Sequence, residues 1–159
     1  MMMSSQHYLV VDDDKTNNLI CDFTIRKFNK NATVDLYLIP EKALLSIEHK
    51  YSNTAGTIPT ILFLDVNMPS MSGFEFLDEF KKFNAHVRDQ FTIYILSSSI
   101  EDYKEQAEQY PFVAGFLSKP LKISHLEEIL NRGFERGSHR SLSTLSLFSI
   151  IFHGKLVFC

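Results

Sequence analysis

Five short apolar runs, each followed by a segment of helical period, constrain the fold of this 159-residue chain more than any other feature. The runs are residues 8–11, 33–39, 61–64, 91–96 and 113–117. Several are continuously apolar, as expected of parallel strands covered on both faces. Leu44, Ile47 and Tyr51 share a helical face behind Pro40, which suits a first helical turn. Phe76, Leu77, Phe80 and Phe83 repeat in the same way, as do Ile100, Tyr103, Ala107 and Tyr110, and then Leu126, Ile129 and Leu130. After Asp14 the stripe of Leu19, Ile20, Phe23 and Phe28 is a poorer match to that period. Strand and helix in alternation predict an α/β fold, a doubly wound five-stranded parallel sheet with helices on both faces and right-handed crossovers. In such sheets ligands bind beyond the carboxyl ends of the strands.

Each of those ends carries polar chemistry. Asp12, Asp13 and Asp14 follow the first run, Asp65 the third, Ser97, Ser98 and Ser99 the fourth, and Lys119 with Pro120 the fifth. Parallel strands would gather them at one edge of the sheet. Ionised carboxylates packed together repel, and a hard divalent cation such as Mg²⁺ removes the conflict while awaiting phosphate oxygens. Lys119 supplies a further counter-charge. The set suits a phosphoryl group, where catalysis is mostly positioning and neutralisation, and an Asp can itself be the nucleophile. Each residue also has a plainer reading. Asp12–Asp14 can cap a helix, Asp65 can open a turn-rich loop, Ser97 can satisfy local backbone, and Lys119 can be a surface charge.

The segments LVVDDD (residues 9–14), DVNMPSMSG (65–73), LSS (96–98) and FLSKP (116–120) occur in the order found in the receiver domain of two-component response regulators, which this chain resembles over residues 6–134. The resemblance implies a flavodoxin-like sheet of strand order 2-1-3-4-5. It implies Asp65 as phosphoacceptor, with Asp12, Asp13, Asp65 and the backbone carbonyl of Asn67 as Mg²⁺ ligands. Ser97 and Lys119 would each engage a phosphoryl oxygen, and the Lys119–Pro120 peptide would be cis. Phe116 falls where the family keeps an aromatic switch, and without a hydroxyl it would act by packing alone; the other reading is a core residue. Asn67 and Ser99 occupy positions that tune dephosphorylation. The fourth helix, fifth strand and fifth helix would form the output face.

The implied function is a phosphorylation-dependent signalling switch that is not a turnover enzyme. Its partners would be a sensor histidine kinase or histidine phosphotransfer protein as donor and an unidentified downstream protein as target. A phosphorylation-independent adaptor of the same fold normally lacks one of these residues. A haloacid-dehalogenase-type hydrolase would place an acid where Asn67 stands, and a flavin-binding protein would not have three aspartates in its phosphate loop.

Composition narrows the rest. Sixteen Lys+Arg against nineteen Asp+Glu give a net charge of −3, which argues against nucleic acid as partner. No apolar run reaches the length of a membrane span, and the start of the chain lacks a secretion signal. Cys21 and Cys159 read as reduced thiols, so a cytoplasmic protein is expected. The six histidines are scattered without metal-ligand spacing and read as surface or boundary residues. Residues 1–136 form the expected domain. Residues 137–159, with five serines and no acid, read either as an added element or as a cloning or reading-frame scar.

Overall fold

The computed structural model describes residues 5–53 and 57–138. β1 (His7–Val11), α1 (Lys15–Phe28), β2 (Thr33–Tyr37), α2 (Pro40–Ser52), β3 (Thr60–Asp65), α3 (Gly73–Phe80) and α4 (Ala85–Arg88) come first. β4 (Phe91–Ser97), a 3-10 turn (Ile100–Tyr103), α5 (Lys104–Ala107), β5 (Val113–Ser118) and α6 (Ile123–Ser138) follow. All five strands pair in parallel, in the order β2-β1-β3-β4-β5. The flavodoxin-like α/β expectation is met. By internal contacts the chain divides after Glu127. The unit before that point holds the whole sheet, and the described part of the next is the remainder of α6. The expected tail lies outside the described residues from 139 onward.

The core forms where the central strands are apolar on both faces. Leu62, Phe63 and Leu64 of β3 are fully buried, with Val11 on β1, Ile93 and Ile95 on β4, and Ile47 and Phe76 from the covering helices. Helix starts follow local chemistry. Pro40 opens α2. Ser72 and Glu75 form a reciprocal capping box on α3. Asp14 caps α1, accepting from the Thr16 N–H at 2.7 Å.

Four expectations about the helices and strands need correction. The run read as the apolar stripe of α1 faces outward: Leu19 and Phe23 are 56% and 69% exposed and Ile20 is also exposed, whereas Asn18, Cys21, Thr24 and Ile25 are buried. Asn18 sets that rotation, its amide donating to the carbonyls of Asp12 (2.9 Å) and Tyr37 (3.3 Å). β2 stops at Tyr37, because Ile39 is already the N-cap of α2, and Leu38 and Ile39 are exposed. The stripe from Ile100 to Tyr110 is one 3-10 turn and one α-turn, not a long helix. Tyr110 is buried outside it, through ring contacts with Phe74 and Phe112 and a bond to Asp78. Likewise α3 ends at Phe80, and Phe83 packs edge-on against that ring at 5.8 Å before Asn84 caps the unexpected α4.

His7 is buried, contrary to the surface reading of the histidines. At the amino end of the sheet its Nε2 lies 2.9 Å from Asp35, which also takes a bond from Lys50 at 3.0 Å. Its Nδ1 lies 2.9 Å from the Tyr51 hydroxyl, itself 2.8 Å from Thr60 Oγ1. Burial and the Lys50 charge hold the imidazole below its ordinary pKa, against the pull of Asp35.

Candidate functional site

The strand register assembles the site at the carboxyl edge. Val11 pairs with Leu64, so Asp12 and Asp65 leave adjacent strands at the same level. Ser97 pairs with Ser118, and the Lys119 N–H donates to the Ser97 carbonyl at 3.0 Å. The Lys119–Pro120 peptide is cis.

The lysine amine is the centre of the arrangement. Its Nζ lies 2.6 Å from Asp12 Oδ2 and 2.9 Å from Asp65 Oδ1. All three side chains are largely withdrawn from solvent, at 15%, 2% and 7% exposure. Charges so placed are tolerated because each has a partner. Burial works to lower the Lys119 pKa, but its bonds to Asp12 and Asp65 outweigh it and hold the ammonium above its ordinary value. Burial pushes the Asp65 carboxyl upward, Lys119 opposes this, and the Asp12 charge adds to it.

Asp12, Asp13 and Asp65 each offer an oxygen within 4.8 Å of the others, with Asp13 on the open side. Three converging carboxylates are the hard donor set a small divalent cation requires, so the residues present fit Mg²⁺. Within the acidic run the roles divide: Asp14 caps α1, while Asp12 and Asp13 converge with Asp65.

The neighbouring loop is fixed by close approach. A Cβ on Gly73 would stand 2.5 Å from the Asp65 carbonyl oxygen, and the Gly73 N–H donates to the Val66 carbonyl at 2.9 Å. Only glycine allows that approach without a shift of backbone. Ser97 is buried, and its Oγ accepts from the Ser99 N–H at 3.1 Å, which leaves the hydroxyl proton for another acceptor. Ser99 itself is exposed. Phe116 on β5 is half-buried and packs against the core cluster.

Three residues around the pocket were not singled out for it by the sequence. Asn18 anchors the Asp12 backbone, as described. Cys21 lies close enough to feel the charges of Asp12 and Lys119; burial first, then Asp12, push its thiol up to about 12. Tyr103, which reads in the sequence as packing, donates its hydroxyl to Asn67 Oδ1 at 2.9 Å. Only the inward positions of α1 could have signalled Asn18; nothing local signals the other two.

Among the described residues, no helix is long and apolar enough to cross a membrane. Among curated proteins, a hybrid signal transduction histidine kinase L of Dictyostelium discoideum is 30% identical over 89% of this chain, which spans only 8% of that kinase. A crystal structure of a response regulator receiver protein from Dyadobacter fermentans is 29% identical with a TM-score of 0.70, covering 82% of this chain and 98% of its own. The receiver domain of a sensor histidine kinase from Pseudomonas aeruginosa, with magnesium coordinated in its active-site cleft, shares the fold at a TM-score of 0.63 and 22% identity, over 81% of this chain and 97% of its own. A family model described as the response regulator receiver domain matches residues 8–131, and the chain belongs to that family, the receiver domains of two-component signalling.

Proposed function

We propose that this chain is a phosphorylation-dependent switch in which Asp65 accepts a phosphoryl group from the phosphohistidine of a sensor kinase or phosphotransfer protein. The observation that carries this reading is the Lys119 ammonium, bonded at once to Asp65 and Asp12 in a largely desolvated pocket. An oxygen of the Asp65 carboxylate attacks phosphorus as the phosphorus–nitrogen bond breaks, and the imidazole leaves with that electron pair. Asp12, Asp13, Asp65 and the carbonyl of Asn67 would hold Mg²⁺, which when bound neutralises charge on the phosphoryl oxygens. Lys119, displaced from the carboxylate, pairs with a second phosphoryl oxygen, and the Ser97 hydroxyl donates to a third. The added charge biases a two-state surface read by a protein target, with Phe116 repacking as Ser97 is drawn in.

Apolar side chains support a docking donor. Leu19, Ile20 and Phe23 project to solvent from α1, the helix that leaves the acidic run.

Incubation with acetyl phosphate and Mg²⁺ tests the chemistry. Intact-mass analysis should show one base-labile phosphoryl adduct, mapping to Asp65 and missing both in Asp65→Asn and in the presence of a chelator. Failure to label with acetyl phosphate and with a panel of kinases would instead support a phosphorylation-independent adaptor. Steady turnover of small phosphate esters would support a hydrolase.

A further inference from the structure

The loop after Asp65 is held from a second direction. Asn67 stands two residues beyond Asp65, and its Oδ1 accepts the Tyr103 hydroxyl at 2.9 Å. Tyr103 ends the 3-10 turn that follows Ser97, so the bond joins the segment leaving β3 to the segment leaving β4. Its ring lies 5.9 Å from that of Phe74, at 48°. Phe74 is buried and follows Gly73, the residue pressed against the Asp65 carbonyl. Gly73 and Phe74 therefore fix the far end of the loop, and Tyr103 fixes its near end through Asn67. The ring contact alone would place Tyr103 but not Asn67; only the hydroxyl reaches the asparagine.

We propose that Tyr103 is a positioning residue for the receiver reaction. By holding the Asn67 side chain, it restricts the peptide whose carbonyl would serve as a metal ligand, and so sets the affinity of the pocket for Mg²⁺. This inference rests on the reading of the pocket given above. The effect acts on metal affinity and leaves transfer at saturating metal unchanged. Because the bond is open to solvent, its loss corresponds to the net value of one hydrogen bond, a change of about two- to tenfold.

The test is a Mg²⁺ titration of wild type, Tyr103→Phe, Asn67→Ala and the double variant, followed by amide NMR shifts at Asp13 and Asn67, with acetyl phosphate labelling alongside. Tyr103→Phe keeps the ring against Phe74, so its thermal midpoint should fall by no more than about 4 °C, the shift expected of about 1 kcal/mol. Its Mg²⁺ dissociation constant should rise about two- to tenfold, and its labelling rate should recover at saturating Mg²⁺. In the Asn67→Ala background the same substitution should change the constant by less than about 1.5-fold, because the partner is already gone. An unchanged constant in Tyr103→Phe, an equal loss in the Asn67→Ala background, or slow labelling that saturating metal does not restore would each overturn the proposal. Wild type that neither shifts with Mg²⁺ nor labels at Asp65 would overturn the reading of the pocket, and this inference with it. Wild type that does both, beside an unaffected Tyr103→Phe, would overturn this inference alone.

Discussion

Replacing Lys119 with alanine removes a cation bonded to both Asp12 and Asp65. The two carboxylates would then face each other with 2% and 7% exposure and no shared counter-charge. Breaking a buried pair by deleting one partner costs about 3–5 kcal/mol. Because this pocket opens at the sheet edge on the side of the exposed Asp13, the lower end of that range applies, about 3 kcal/mol. A divalent cation supplies the missing charge, and the more negative pocket of the variant should bind it more tightly than wild type does. At a hundredfold excess over its dissociation constant, such a ligand adds about 2.7 kcal/mol. Urea denaturation in chelator should therefore show the full deficit, and the gap between variant and wild type should shrink as Mg²⁺ rises. Lys119→Ala should still accept phosphate from acetyl phosphate, but without the phosphorylation-dependent shifts at Ser97 and Phe116. A deficit under about 1 kcal/mol in chelator, too small for a broken buried pair, would refute the electrostatic account. So would a gap that Mg²⁺ leaves unchanged.

Two further perturbations probe other parts of the molecule. His7 is held below the 6.5 of a free imidazole, so between its folded pKa and 6.5 the unfolded chain binds the extra proton. Its contribution to stability is complete above pH 6.5 and is lost as pH falls through the folded value; an NMR titration midpoint at or above 6.5 would contradict this. Phe23→Ser should slow transfer from a phosphohistidine protein while leaving acetyl phosphate labelling and the thermal midpoint unchanged, since Phe23 is 69% exposed. Equal slowing with both donors would remove α1 from the docking surface.

The order of strands and helices was legible because continuous apolar runs and helical stripes are local signals, and parallel pairing follows once they alternate. The pocket was legible for a related reason. Asp65 and Ser97 end their strands and Asp12, Asp13 and Lys119 follow theirs within two residues, and a parallel sheet carries every strand end to one edge. Local signals failed where packing partners are distant in sequence. Leu19, Ile20, Phe23 and Phe28 matched the helical period poorly, and the structure exposes the first three while Asn18 turns inward to the Asp12 and Tyr37 carbonyls.

Sequence alone thus determined the class of sheet, the set of ionisable groups at its rim and the family resemblance they carry. Tertiary structure decided which atoms meet. It brought the Lys119 amine to two carboxylates, buried His7 between Asp35 and Tyr51, and placed the Tyr103 hydroxyl on Asn67. Strand ends are specified by short-range patterning, whereas a hydrogen bond between two crossovers depends on how both are packed, which no local run of residues encodes.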